Sequence, residues 1–339
     1  MPPIKRVNSL DVARLAGVSR TTVSFVLNGV PGVAISDATR KRVLEAAQSL
    51  NYHPNAAGRK LVSGKSRTLG LVLCQSPEQV FADSLLPQVL LGLGQAAMQV
   101  GYQVLLRPAE PSDPFSYIKT IRENFVDGIV LSGPRQDDPE IFRLHEEGFP
   151  VMLMGQLPDS DIPFVDVDAS AGAETATHHL LDQGCKRIAM ITNAPLSYTS
   201  ARQRRDGYLS ALKSAGIAYD ESLLREGNYT PESGYQAMMG LLSNGSRSDA
   251  VFIASDVVAK GAMLAIKRSG LRIPQDIAIV GFDDIPLAEY FDPPLTTMHL
   301  PAYGLGWAAG DRLIRLVRNE GLDEMGVLMQ SNLIVRESS

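Results

Sequence analysis

One short segment, Ser9 to Asn28 (SLDVARLAGVSRTTVSFVLN), constrains this chain more than any other. Its Ala13, Gly17 and Val23 stand at the spacing at which two short helices cross closely at a sharp turn. Ala13 is small enough for the helices to approach, Gly17 accepts the positive φ of the turn, and Val23 fills the angle between them. Val12, Ala13, Ala16, Val18, Val23 and Val26 then form one buried seam. Asn8 is placed to cap the first helix, with Asp11 three residues on favouring the same end, and Ser19 to cap the second. The pattern is that of a helix-turn-helix; the competing reading is a pair of amphipathic core helices that touch no DNA.

Charge separates these readings. From Met1 to Arg67 the chain carries 11 Lys and Arg against 3 Asp and Glu, whereas the remainder carries 21 against 34. A net of +8 on the first segment and −13 on the rest is hidden inside the modest total of −5. Basic charge that coincides with the turn motif is the signature of a DNA-contacting headpiece, because phosphate neutralisation supplies most non-specific affinity.

At 339 residues the chain is long enough for two or three cores. No apolar run approaches a membrane span, and MPPIKRVNSLDVARL lacks the apolar stretch of a secretory signal, so a cytoplasmic location is expected. Cys74 and Cys185 are far apart and have no neighbouring ligands, which points to small buried hydrophobes and to neither a disulfide framework nor a metal site.

Ser36 is placed to cap a third helix, DATRKRVLEAAQSLN, with Val43, Leu44, Ala47 and Leu50 as its apolar stripe. The short segment Tyr52 to Val62 follows, with few apolar anchors and Gly58 in its middle. It cannot hold a helix by itself in water, which implies a helix that forms against a partner, DNA being the nearest. From Thr68 strand-like runs (69–73, 103–106, 128–131, 151–154, then 187–191, 250–253, 277–280) alternate with helical stretches. Two consecutive parallel α/β units are implied, with a ligand cleft beyond the carboxyl ends of their strands.

A resemblance runs through nearly the whole chain. DVARLAGVSRTTVSFVLN, ISDATRKRVLEAA, LNYHPNAAGRKL, TLGLVL, FVDVDASAGAETATHHLLDQG, RQRRDGY, FIASDVVAKGAMLAIKRSGLRIPQDIAIVGFDD and PPLTTM occur in the order and spacing of LacI/GalR-type bacterial transcriptional regulators. The sequence resembles that family, which implies an α/β protein. An all-α helix-turn-helix headpiece (1–54) precedes a hinge helix and linker (55–66). The body is two-lobed, doubly wound and parallel, of the periplasmic-binding-protein type, its first lobe being 67–166 with 301–325 and its second 167–300 with 326–339. It implies a homodimer on a pseudo-palindromic double-stranded operator, a sugar-like effector between the lobes, no cofactor and no membrane partner.

Carried over residue by residue, Arg20 and Thr21 occupy the first exposed turn of the recognition helix, where a guanidinium meets a guanine through two acceptors. Thr22 and Ser24 fall to phosphate contact or to capping the turn, and Asn28 closes the same helix. Phe25 stands where a polar residue is common; it either touches a thymine methyl or covers the apolar seam. In the hinge, Asn55, Ala57 and Gly58 lie where the chain approaches the groove or its twin, and Leu61 matches the apolar wedge that kinks the central base step, or else anchors the linker on the body. In the cleft, Arg204 matches the effector-binding arginine and Asp283 an acceptor for hydroxyls. Phe81 and Tyr229 match aromatic walls, and Ser255 a hydroxyl contact; for Asp256 a helix cap is expected. Leu300 stands where sugar-responsive members often place Gln, and Gly155 and Gln156 where some galactoside-type members have Asp, which argues against a galactoside.

Three lookalikes of other chemistry are set aside. Gly92-Leu93-Gly94-Gln95-Ala96-Ala97 spells a loose dinucleotide fingerprint but lies inside a helical pattern, and Gly64-Lys65-Ser66 lacks the first glycine of a phosphate loop. Asp166 and Asp168 alternate with valine along FVDVD and are set aside as a catalytic pair. An enzyme on this fold therefore has no convergent acid, base, nucleophile or metal set, and a secreted sugar receptor would need a leader and no basic headpiece. Dimerisation is expected through helices near Leu85 to Gln99 and the segment Phe282 to Asp292, and the absence of trailing apolar heptads favours a dimer over a tetramer.

Overall fold

The computed structural model describes residues 7–28, 32–52, 64–109, 116–123, 125–243 and 248–339. They fall into two compact units, Met1–Ser66 and Arg67–Ser339.

In the first unit α1 (Ser9–Ala16), α2 (Arg20–Asn28) and α3 (Asp37–Ser49) enclose a small core. Asn8 accepts the N–H of Leu10 at 2.8 Å while its own N–H donates to the Asp11 carboxylate at 3.0 Å, so the start of α1 is capped from both sides. Gly17 ends α1 with φ 64°, and the Ser19 hydroxyl accepts the Thr22 N–H at 3.1 Å to open α2. Ser36 accepts the Thr39 N–H at 3.3 Å at the head of α3. Val12, Ala13, Ala16, Val23, Val26, Val43, Ala46 and Ala47 are the buried core. The expected stripe on α3 needs one correction: Leu44 is 49% exposed, and Ala46, three residues after Val43, faces inward instead.

The second unit holds two six-stranded sheets. In the first, β11 (Gly326–Met329), β5 (Phe164–Val167), β4 (Val151–Met154), β3 (Gly128–Ser132), β1 (Thr68–Leu73) and β2 (Gln103–Pro108) lie side by side, all parallel. In the second the order is β12 (Asn332–Ile334), β10 (Thr296–His299), β9 (Ala278–Asp283), β8 (Ala250–Ile253), β6 (Ile188–Ile191) and β7 (Leu224–Arg225), with β12 alone antiparallel. The central strands are covered on both faces, which is why VFI and IAMI read as unbroken apolar runs and not as alternation.

The chain passes between lobes after β5, after β10 and again between β11 and β12. The last passage differs from the expected boundary at 325: β11 pairs with β5, so Gly326–Met329 belongs to the first lobe and only the residues from Asn332 onward return to the second. The glycines of the dinucleotide lookalike sit in the helix Leu86–Gln99, where Gly92 lies against the Tyr303 carbonyl of the helix Ala302–Val317 and serves helix packing, while Gly94 faces open space. No described helix is long and apolar enough to cross a membrane.

Around Gly17 nothing crowds a methyl group, so a side chain there would suffer backbone strain alone. Gly17→Ala should therefore lower headpiece stability by about 1 kcal/mol. Circular dichroism of the full chain should show the headpiece transition moved, and the body transition, read by the single Trp307, unchanged.

Candidate functional site

The carboxyl ends of both sheets look into one cavity of about 180 Å3. Five of the inner strands deliver polar groups there: Gln75 just beyond β1, Ser132 at the end of β3, Asn193 beyond β6, Ser255 beyond β8 and Asp283 at the end of β9. Parallel strands make this inevitable, because every chain leaving a strand at that end must turn across the same opening.

Arg204 is the pivot. It lies in the first turns of the helix Thr199–Ser214, is only 6% exposed, and spans the cavity floor. Its Nη1 donates to the Ala254 carbonyl, its Nη2 to Asp283 Oδ1 at 3.3 Å, and its carbon lies 3.9 Å from the centre of the Phe282 ring. Fixed on two sides and backed by an aromatic face, the guanidinium has little freedom, and its buried Nε has no partner. Asp283 itself has φ 116°, a backbone conformation that costs of order 1–3 kcal/mol and persists only where the surroundings impose it. Burial pushes its carboxyl up to about 6, against the pull of Arg204 and of the Ser255 hydroxyl.

Behind Asp283 lies Asp256, fully buried. The expected helix cap is corrected here: Asp256 is the first residue of the helix Asp256–Arg268, and its carboxylate turns away from that helix to accept the Thr297 hydroxyl at 2.6 Å and the Ile285 N–H at 3.0 Å. It thus ties β10 and the turn after β9 to the head of the helix. Burial, and then the neighbouring Asp283 charge, hold its carboxyl well above the usual range.

Tyr229 and Leu300 line the cavity as expected. Tyr229 meets Tyr198 edge to face at 5.5 Å, and the Tyr198 hydroxyl donates to the Cys74 carbonyl of the first lobe at 2.7 Å. Phe81 does not join them: it is 73% exposed on the helix Pro77–Ala82 and stands outside the cavity lining, so the Tyr198–Tyr229 pair supplies the aromatic side. Gly155, where a galactoside-type Asp was considered, has φ 120°, and a Cβ there would lie 2.6 Å from Pro134 Cδ, so the backbone itself excludes that carboxylate.

Asp166 is a cleft residue that alternation alone did not single out. Asp168, just past the end of β5, caps the helix Ala169–Asp182 through the Ala171 N–H at 2.9 Å, whereas Asp166 lines the cavity and accepts the Gln156 amide at 3.0 Å. Burial pushes its carboxyl up, with Gln156 and the Val167 N–H opposing. Asp83 and Asn193 were likewise missed; the sequence signal was their place just beyond predicted strands or at a helix head. Among the described residues no group of His, Cys, Asp or Glu could hold a metal ion.

In the first unit, Arg20 and Thr21 are exposed on the first turn of α2. Arg20 Nε donates to the Ser9 hydroxyl at 3.3 Å, which holds its stem against α1. Thr22 bonds Ser19 at 2.9 Å, Asn28 donates to Ser24 at 3.1 Å, and Phe25 is half-buried. Asn55, Ala57, Gly58 and Leu61 lie outside the described residues.

Comparison with known proteins agrees with this geometry. Residues 10–55 match the family described as bacterial regulatory proteins, lacI family, and 177–339 the periplasmic binding protein-like domain. The regulator CelR of Thermobifida fusca is 35% identical over 96% of both chains, and the ribose operon repressor of Escherichia coli 34% identical over 97% of this chain and 98% of its own. Among solved structures, a CelR–cellobiose complex superposes with TM-score 0.76 at 34% identity over 98% of this chain and all of its own. The lac repressor dimer bound to operator and anti-inducer superposes with TM-score 0.86 at 29% identity over 98% and 99%. A helix-turn-helix headpiece on a two-lobed ligand-binding body defines a ligand-responsive, DNA-binding transcriptional regulator, not an enzyme. The chain belongs to the LacI family.

The buried carboxyls give a pH signature. Between an unfolded value near 4 and the native value of about 6, native Asp283 keeps a proton that the unfolded chain has lost, so its contribution to stability falls as pH rises through that window. Unfolding midpoints followed by Trp307 emission should decline from pH 4 to 6, and Asp283→Asn should flatten the slope.

Proposed function

We propose that this protein is a cytoplasmic, homodimeric repressor whose grip on a pseudo-palindromic operator is set by a sugar-like effector held between the lobes. The observation that carries the reading is the Arg204–Asp283 pair: a fixed fork of donors beside a strained acceptor, both facing the cavity. Vicinal hydroxyls offer a donor and an acceptor together, which suits such a pair, and the Tyr229 face suits the C–H side of a sugar ring. Ser255 and Leu300 complete the effector set. The related regulator solved with cellobiose supports the same class.

On the DNA side, Arg20 and Thr21 read base edges in the major groove, Thr22 and Ser24 position the turn, and Phe25 and Asn28 complete the recognition face. Asn55, Ala57, Gly58 and Leu61 belong to the hinge, with 1–54 as headpiece and 55–66 as hinge and linker. Leu91 and Met98, two turns apart on the helix Leu86–Gln99, are exposed, as are Leu287 and Tyr290 after β9. Large exposed apolar side chains on these two segments suit a self-complementary interface, and a twofold partner doubles the phosphate contacts of one headpiece.

Two substitutions test the two ends. Arg204→Ala should keep operator affinity within about twofold and abolish its change on addition of any sugar that acts on the wild type, read by electrophoretic mobility shift; a retained response overturns the cleft assignment. Arg20→Ala should lose about 1–3 kcal/mol of discrimination at one operator position and leave the salt slope of binding nearly unchanged. Equal loss on all sequences would assign Arg20 to phosphate.

A further inference from the structure

The charges of the cleft do not balance. Among the described residues that line it, the carboxyl and cationic side chains are those of Asp83, Asp166, Asp283 and Arg204. Arg204 is committed to Asp283 and to the Ala254 carbonyl. Its field also reaches Asp166. That leaves one cation for three carboxyl groups.

The two remaining carboxylates are held differently. Asp83 accepts the Leu85 N–H at 2.8 Å, and the Leu86 N–H as well, at the head of the helix Leu86–Gln99, where the positive end of the helix offsets its charge. Asp166 takes its bonds from the neutral Gln156 amide, the Val167 N–H at 2.8 Å and Gln203. Each of its oxygens keeps a lone pair for an incoming donor. Asn193 adds an independent sign. It is 3% exposed and lines the same cavity, its amide nitrogen donates to the Ser200 hydroxyl at 3.2 Å, and its Oδ1 is buried without any partner. A buried acceptor without a donor costs about 1–3 kcal/mol until something supplies one.

We propose that the cleft selects a small, donor-rich molecule that carries hydroxyl or ammonium groups and no phosphate or carboxylate, and that Asp166 is the residue that sets this choice. The inference rests on the effector reading of the cleft above and deepens it. A hydroxyl donates to Asp166 and Asn193 and relieves both, and an ammonium also offsets the excess negative charge. A sugar phosphate or sugar acid brings further acceptors and negative charge to groups that already lack donors, with Arg204 spoken for.

The test is calorimetric titration of the full-length protein with matched sets. Each set takes one parent sugar (D-glucose, D-galactose, D-ribose or cellobiose) with its amino and its phosphorylated or aldonic derivative where these exist. The expected result is a parent or amino derivative that binds and an anionic partner at least about thirtyfold weaker. Asp166→Asn should narrow that gap at least tenfold while Trp307 emission and the unfolding midpoint stay within the wild-type range; Asp166→Ser serves if the first variant folds poorly. An anionic derivative that binds as tightly as its parent, or a gap unmoved in both folded variants, overturns the proposal. A panel in which no member binds and none alters operator affinity overturns the sugar-effector reading beneath it, a separate outcome.

Discussion

At the carboxyl end of the second sheet two carboxyl groups are buried one behind the other, Asp283 at the cavity and Asp256 beneath it. Taking even one such group out of water is costly unless it is paired or protonated. The protein does both. Arg204 compensates the outer carboxylate, and Thr297 with the Ile285 N–H holds the inner one. Because these partners come from β8, β10, the turn after β9 and the helix Thr199–Ser214, the cost of burying charge becomes a constraint that fixes the relative places of all four. The pocket floor is rigid for that reason, and a rigid floor is what orients a small ligand.

That floor belongs to one lobe, and the contacts that reach the other are apolar as well as polar: Ala194, Tyr198 and Ala201 share a hydrophobic cluster with Val72, Cys74 and Leu131 of the first lobe. Tyr198 donates to the Cys74 carbonyl, Thr199 to the Pro134 carbonyl at 3.4 Å, and Gln79 to Asn228 at 3.2 Å. Such bonds are worth about 1 kcal/mol each and exchange readily with water. A ligand that bridges Arg204 and Asp283 on one side with Asp83 and Asp166 on the other adds contacts of the same strength as these hydrogen bonds to the apolar packing that already joins the lobes. Differential contact of this kind is what a ligand needs to shift a conformational equilibrium.

Much of this was legible from residues alone. The caps at Asn8, Ser19 and Ser36 and the turn at Gly17 are local devices, decided by side chains within three residues, and they stand as read. Most of the buried parallel strands announced themselves as unbroken apolar runs, but β5 (FVDV) and β10 (TTMH), interrupted by polar residues, did not. The short outer strands β7, β11 and β12 did not, since two to four residues carry no period and their pairing is set by distant partners. The same distinction applies to the cleft. Arg204, Tyr229, Ser255, Asp283 and Leu300 follow from motif and strand end. Asp166 required knowing which face of β5 looks inward, and Asp256 required the distant Thr297. Phe81 was misplaced because a six-residue helix does not fix which of its sides meets the cavity.

The left-handed turn at Gly155, pressed against the Pro134 ring, carries a further consequence. A lineage diverging from this sequence toward a carboxylate at that spot could not get there by one codon change, because the intermediate would carry a side chain where neither the torsion nor the proline admits it. Pro134 would have to change first, and that replacement brings no new recognition by itself. The pair therefore acts as a ratchet on the evolution of ligand preference, holding descendants to hydrogen-bonding solutions built from the opposite wall.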